Sequence, residues 1–232
     1  MNKKIISTAE NLQVIYEDNH LIAINKRVGD IVQGDKTGDK PLVDIVKEYL
    51  KNKYKKEGNV YLGVVHRLDR PTSGIVIFAK TSKALPRMNA IFSNRLSQKT
   101  YWTIVKNHPA IFEGNLVHYI KRNTINNTSK AYLKEVPDSK LASLDIKVIQ
   151  NLTHYTVLEI ALHTGRHHQI RAQLAAIGTP IKGDLKYGFD RSNPDGGIHL
   201  HARKLQFEHP VSNTTILIEA TPPNDVLWNN LI

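Results

Sequence analysis

The chain of 232 residues reads as an α+β fold built on a mainly antiparallel sheet, and three observations lead there. Apolar residues recur in short alternating or continuous runs of strand length. Only three segments space them as a helix does, and no repeat, low-complexity tract or linker divides the sequence. Residues 1–232 are therefore expected to form a single domain, or one with two lobes, and 41% hydrophobic residues suffice to bury a core without disulfide staples.

Taken in order, residues 12–16 and 21–25 alternate around the polar stretch 17–20 and read as a hairpin. Leu42, Ile45, Val46, Tyr49 and Leu50 follow helical spacing and predict an amphipathic helix ending near Gly58. Its basic tail, residues 51–56, either complements the helix dipole or holds phosphate. Residues 60–65 and 74–79 read as two buried strands flanking the polar stretch 66–73. Leu85, Met88, Phe92 and Leu96 line one face of a second helix, with Pro86 acceptable in its first turn. Further strands are expected at 99–105, 143–149, 155–162, 199–207 and 214–220. Ile170, Leu174 and Ile177 mark a third, short helix that Gly178 stops. Residues 107–138 pattern weakly and are expected to be irregular.

Composition removes several classes of function. The longest unbroken apolar run, 75–79, is far short of the ~20 residues a membrane helix needs. The first ten residues carry two lysines but no apolar stretch after them, so they read as a cytosolic lead-in rather than a signal peptide. Without cysteine there is no disulfide, thiolate zinc site or thiol nucleophile. A net charge of +11 and a pI near 9.7 point to a polyanionic partner, with nucleic acid first.

Nucleotide and metal signatures are missing as well. G-x-G-x-x-G, H-E-x-x-H and G-x-S-x-G do not occur, and residues 34–41 have the wrong glycine spacing for a phosphate loop. His163, His167, His168, His199 and His201 invite a metal reading, since i, i+4 on a helix and i, i+2 on a strand point two imidazoles one way. No carboxylate stands at matching spacing, so polar or RNA-facing histidines are the better reading. Neither metal nor cofactor is expected.

The polar stretch between two buried strands is harder to assign to structure alone. Asp69 sits among His66, Arg67 and Arg70 in an apolar neighbourhood, and an ionised carboxylate there needs a cationic partner. Such a group is either a structural ion pair or a nucleophile. Thr72, Ser73 and Gly74 supply a tight turn with hydroxyls able to hold the loop.

Residues 66–74, His-Arg-Leu-Asp-Arg-Pro-Thr-Ser-Gly, with the hydrophobic strand and Ala79-Lys80 after them, resemble the signature of the RluA-type pseudouridine synthases. Further elements follow in that family's order: Asn25-Lys26 with Gly29, Lys99-Thr100-Tyr101, and Thr164-Gly165-Arg166-His167-His168-Gln169-Ile170-Arg171. Gly178 to Gly188, with Gly183, Asp184 and Tyr187 inside it, Leu200-His201-Ala202 and His209-Pro210 complete the series. The likeness runs from about residue 14 to residue 223, and several motifs in order are more specific than any single one. Two departures stand out: Arg27-Val28 replaces the usual proline of the early element, and the small basic N-terminal RNA-binding domain of many longer members is missing, so RNA affinity must come from the catalytic domain.

The resemblance implies a bent, mainly antiparallel sheet flanked by helices and loops, with an RNA-binding cleft across the sheet. It implies an isomerase that turns a uridine of ribosomal or transfer RNA into pseudouridine in the cytoplasm, with no cofactor, no membrane and no obligate protein partner. Asp69 falls at the catalytic aspartate, acting as nucleophile or base. Tyr101 offers the base a flat face, and Arg171 can pair bidentately with Asp69. Arg67 fills the space left by a flipped base. Leu68 and Ile170 pack the pocket, and Arg70, Arg166 and Lys26 join the substrate contacts. Two rivals are an RNA-binding protein that kept this fold and lost catalysis, and a metal-dependent nuclease using the histidines.

Overall fold

The computed structural model describes residues 5–110 and 113–231. In chain order these form β1 (Val14–Glu17), β2 (Leu21–Lys26), α1 (Leu42–Lys53), β3 (Gly63–Val64), β4 (Ser73–Ala79), α2 (Ala84–Ser93), β5 (Gln98–Lys106), β6 (Glu113–Asn123), β7 (Thr128–Tyr132), β8 (Lys140–Asn151), β9 (Tyr155–Leu162), α3 (Gln169–Ala176), β10 (Leu200–Glu208) and β11 (Thr215–Glu219). The α+β expectation holds. The chain divides into two compact units, Met1–Ser97 with Ala202–Ile232, and Gln98–His201. No helix among the described residues is long and apolar enough to cross a membrane.

In the first unit β1, β2 and β4 pair antiparallel in that order, β3 adds to the far end of β4, and β10 pairs antiparallel with β11. Successive residues of a strand face opposite ways, so the continuous apolar run of β4 serves two cores. Ile75, Ile77 and Ala79 join Leu21 and Ala23 beneath Met88 of α2, together with Leu205 and Phe207 of β10. Val76 and Phe78 join Ile22 and Ile24 beneath Leu42, Val46 and Leu50 of α1. A strand covered on both faces needs no polar alternation, which is why 75–79 reads as an unbroken run.

Two helices stop earlier than their spacing suggests, for one reason. At the end of α1 the N–H of Lys55 donates to Asn52 O at 3.4 Å and that of Lys56 to Lys51 O at 3.0 Å, with Lys55 left-handed at φ 47°. At the end of α2 the N–H groups of Arg95 and Leu96 donate to Phe92 O and Ile91 O, with Arg95 at φ 60°. Both are Schellman turns that place a long cation where glycine usually stands. Helix α1 thus ends several residues short of the predicted stop at Gly58, and Leu96 leaves its helix to lie 65% exposed. The third helix ends on Gly178 as expected.

The expected strand 60–65 shrinks to Gly63–Val64, and past its C-terminal end the His66 side chain takes over the pairing. The N–H of Ile77, which a longer β3 would pair, donates to His66 Nε2 at 3.2 Å. The basic tail of α1 is also partly committed. Glu17, nearly buried, accepts from Lys53 at 2.7 Å, Lys80 at 2.8 Å and the Tyr54 hydroxyl at 2.7 Å. Burial opposes ionisation of Glu17, but these three donors outweigh it and hold the carboxyl down at about 2.

In the second unit β5, β9, β8, β6 and β7 pair antiparallel in that order. β6 and β7 overturn the expectation that 107–138 is irregular; residues 111–112 of that segment lie outside the described residues. Leu116, His118 and Ile120 point inward from β6, and the buried histidine breaks the apolar code that would have revealed a strand. Gln173 of α3 resolves it, donating to Leu116 O and His118 Nδ1 at 3.0 and 3.1 Å.

A Gly74→Ala substitution should be among the most damaging in the first unit. Gly74 has φ +111°, and a Cβ there would lie 2.4 and 2.5 Å from the backbone O and N of Ala202. Chemical denaturation should show a loss of about 3 kcal/mol or more, or no folded protein; a loss below about 1 kcal/mol would contradict this close approach.

Glu17→Gln should destabilise the protein by about 1–2 kcal/mol at pH 7. A depressed carboxyl contributes stability above its ordinary value of 4.5 and loses it as pH falls through about 2. Melting curves of wild type and variant should accordingly converge over that window; a gap unchanged at its acid end would show that packing, not charge, is at stake.

Candidate active site

Asp69 lies half-buried in the loop between β3 and β4, and its own carbonyl accepts the Thr72 N–H at 3.0 Å, closing a turn over 69–72; the turn expected at 72–74 gives way to β4, which begins at Ser73. Leu68 beside it packs against the core beneath α1. The neighbouring cations engage other groups: Arg67, exposed, donates from Nη1 to Gln33 at 3.0 Å, and Arg70 donates from Nη2 to Thr37 at 3.0 Å and to Asp39. The ring of His66 lies against that of Phe92, with centroids 4.9 Å apart and planes tilted by 31°.

What fixes this loop is Lys26. The sequence reading set it against substrate; the structure corrects that, since Lys26 is 1% exposed and inaccessible to RNA. Its ammonium donates to Arg27 O at 2.9 Å, Asp30 O at 2.8 Å and Arg70 O at 3.2 Å. The Arg70 carbonyl also accepts the N–H of Gly29 at 2.9 Å. Both donors come from the turn after β2, so the early element and the aspartate loop are stitched at the residue following Asp69. The left-handed φ of 90° at Gly29 lets its N–H reach across. The turn itself is closed by Asp30, which accepts from the Ser7 hydroxyl at 2.7 Å and from Arg27 N–H at 3.2 Å.

In the second unit Tyr101 stands on β5 opposite Ile160, 8% exposed. Burial pushes the ammonium of Lys99, two residues earlier on the same face, down to about 8. Ile170 and Arg171 are buried on α3, and the half-buried Arg166 just before it donates from Nε to Leu141 O at 3.0 Å. The Nε and Nη2 edge of the Arg171 fork donates to Asp184 at 2.7 and 2.8 Å. Sequence reasoning placed Asp184 and Tyr187 in a motif without a role, although a carboxylate and an aromatic three residues apart beside glycines were a visible signal.

α3 is polar yet buried, and its side chains find partners nearby. Gln169 accepts from the Thr164 hydroxyl at 2.7 Å and Arg166 N–H at 3.0 Å, and donates to Ser143 O at 3.1 Å. Among the described residues no three metal-binding side chains gather. The histidines hold other partners: His163 meets Asp145 at 2.6 Å, His167 meets the Ser129 hydroxyl at 2.9 Å, His168 meets the Tyr187 hydroxyl at 2.9 Å, and His199 meets Asn193 at 2.9 Å.

Lys26→Met keeps the aliphatic stem and removes the donor, leaving three carbonyls to find others. A loss of about 3 kcal/mol or more is expected in denaturant unfolding, together with faster backbone hydrogen exchange in residues 66–73. Unchanged exchange in that loop would show that Lys26 does not anchor it.

Residues 20–176 match the family described as RNA pseudouridylate synthase, a span that includes both Asp69 and Arg171. A ribosomal large subunit pseudouridine synthase D of Zymomonas mobilis is 30% identical over 93% of this chain and 70% of its own length. A tRNA pseudouridine synthase C of Vibrio cholerae is 28% identical over 95% of this chain and 94% of its own. The solved structure of human RNA pseudouridylate synthase domain containing 4 shares the fold, with a TM-score of 0.79 at 21% identity over 95% of this chain and 93% of that one. An aspartate loop held by a buried lysine, within a family match that spans most of the chain, leads to one assignment: the chain belongs to the RNA pseudouridine synthases of the RluA type and is an isomerase.

Proposed function

We propose that this isomerase acts in the cytoplasm on a specific uridine of ribosomal or transfer RNA, without an obligate protein partner, and that Asp69, Tyr101 and Arg171 carry the reaction. The observation that carries the reading is the anchored aspartate loop. Asp69 projects from a loop whose next carbonyl is held by two donors, and a reacting group held in place lowers the entropic part of a barrier. The named relatives that act on ribosomal and transfer RNA support the substrate class.

The reaction breaks the bond between ribose C1′ and uracil N1, turns the base and rejoins it through C5; the C5 proton leaves and N1 gains one, so composition is unchanged. Asp69 serves as nucleophile on the sugar or as base for that proton. A stacked uracil cannot turn, so the nucleotide leaves its stack, with the Tyr101 ring as its platform and Arg67 filling the gap. Arg171 supplies a fixed cation. Leu68 and Ile170 shape the pocket, and Arg70, Arg166 and the general excess of basic residues follow the phosphates.

Asp69→Asn keeps size and most hydrogen bonding. It should abolish pseudouridine formation in bulk transfer and ribosomal RNA transcripts while RNA affinity stays within about threefold. A variant retaining a tenth of the wild-type rate or more would remove Asp69 from the chemistry. The same incubation, scored for strand breaks with and without chelator on a short stem-loop, should yield pseudouridine, intact strands and no response to chelation. Strand breaks that need a divalent ion would identify a nuclease instead.

A further inference from the structure

Arg171 is held from two sides by residues of one surface turn. Asp184 takes its Nε and Nη2 edge, and the Tyr187 ring lies against its face with the guanidinium carbon 4.9 Å from the centroid. Residues 185–187 form a single 3-10 turn, in which side chains three apart eclipse, so the carboxylate of Asp184 and the ring of Tyr187 share one side. The turn is closed on Asp184: its N–H donates to Ile181 O, and its carbonyl accepts the N–H groups of Tyr187 and Phe189, each at 3.0 Å.

The ring is anchored in turn. Its hydroxyl accepts the Ser129 N–H at 2.7 Å and meets His168 Nδ1 at 2.9 Å. His168 is stacked on His167 with centroids 3.8 Å apart, and His167 meets the Ser129 hydroxyl. Meanwhile Leu185, the apolar residue of the turn, is 56% exposed, so the turn presents its aromatic rather than its aliphatic side chain to α3.

We propose that Asp184 and Tyr187 are positioning residues, which set the plane and reach of the Arg171 guanidinium for the reaction. A buried ion pair is a poor device for stability, since packed hydrophobic residues of like volume often do as well. What an edge contact and a face contact together achieve is orientation. A fork fixes the guanidinium plane, and a ring beneath it stops the group from tilting. The inference rests on the reading above in which Arg171 serves the isomerisation.

The test uses single-turnover rates on bulk transfer and ribosomal RNA transcripts, with pseudouridine counted and RNA affinity measured separately. Tyr187→Leu keeps bulk and loses the ring; it should slow the folded enzyme about tenfold or more with RNA affinity within about threefold of wild type. Tyr187→Phe keeps the ring and should stay within about threefold in rate. Asp184→Asn should slow the reaction further; should it fail to fold, the Tyr187 variants decide the matter alone.

The decisive comparison adds Arg171→Lys to each background. It should slow wild type about a hundredfold but the Tyr187→Leu protein by less than about tenfold, because residues acting through one another are not additive. Multiplicative effects, or a Tyr187→Leu protein as fast as wild type once folded, would overturn the proposal and leave the function standing. A wild type that makes no pseudouridine would overturn the function, and the clasp with it.

Discussion

Three backbone carbonyls converge on one buried ammonium, that of Lys26, and the geometry of the aspartate loop depends on it. A lysine 1% exposed is tolerable only because each of its protons meets an acceptor. The three acceptors belong to two segments distant in sequence, residues 27–30 and the loop around Arg70. Their relative position is therefore set by a charge that cannot leave without stranding polar backbone. The same loop is pinned from other directions by Leu68 in the α1 core, by His66 on the N–H of Ile77 and by Gly29 on Arg70 O.

The second unit solves a related problem with a different device. α3 buries two glutamines and an arginine in a stretch where apolar residues would be the simpler choice. Gln169 and the Gln173 amide N–H are tied to strand backbone and Arg171 to Asp184, so the helix has few alternative placements. Such a helix suits a residue that must present a cation at a defined angle. In both units polar groups are buried where position matters and apolar groups where only cohesion does. The β2–β4 layer, with apolar side chains on both faces, supplies that cohesion in the first unit.

Misreadings of the sequence trace to particular substitutions of one residue type for another. Lys55 and Arg95 occupy left-handed positions that glycine would have advertised, so two helix ends were overrun; Gly178 does advertise its turn, and that end was read correctly. His118 stands at an inward strand position where an aliphatic residue would have revealed β6. His66 does with a side chain what a strand residue does with backbone, so β3 was read too long. Lys26 reads as a substrate contact because lysine seldom lies buried, and nothing local shows that three carbonyls await it.

By itself the sequence determined the α+β class, the two-faced burial of β4, the polar loop that carries Asp69 and the family to which the chain belongs. These rest on local periodicity and on motifs of consecutive residues, which are read without knowing what lies across the molecule. Tertiary structure alone decided that Lys26 is a strut rather than a substrate contact, and that the fork of Arg171 meets Asp184 along one edge with Tyr187 against its face. Both are contacts of a charged head with groups from other segments. The reach of a lysine or arginine admits many partners, and only the folded chain selects among them.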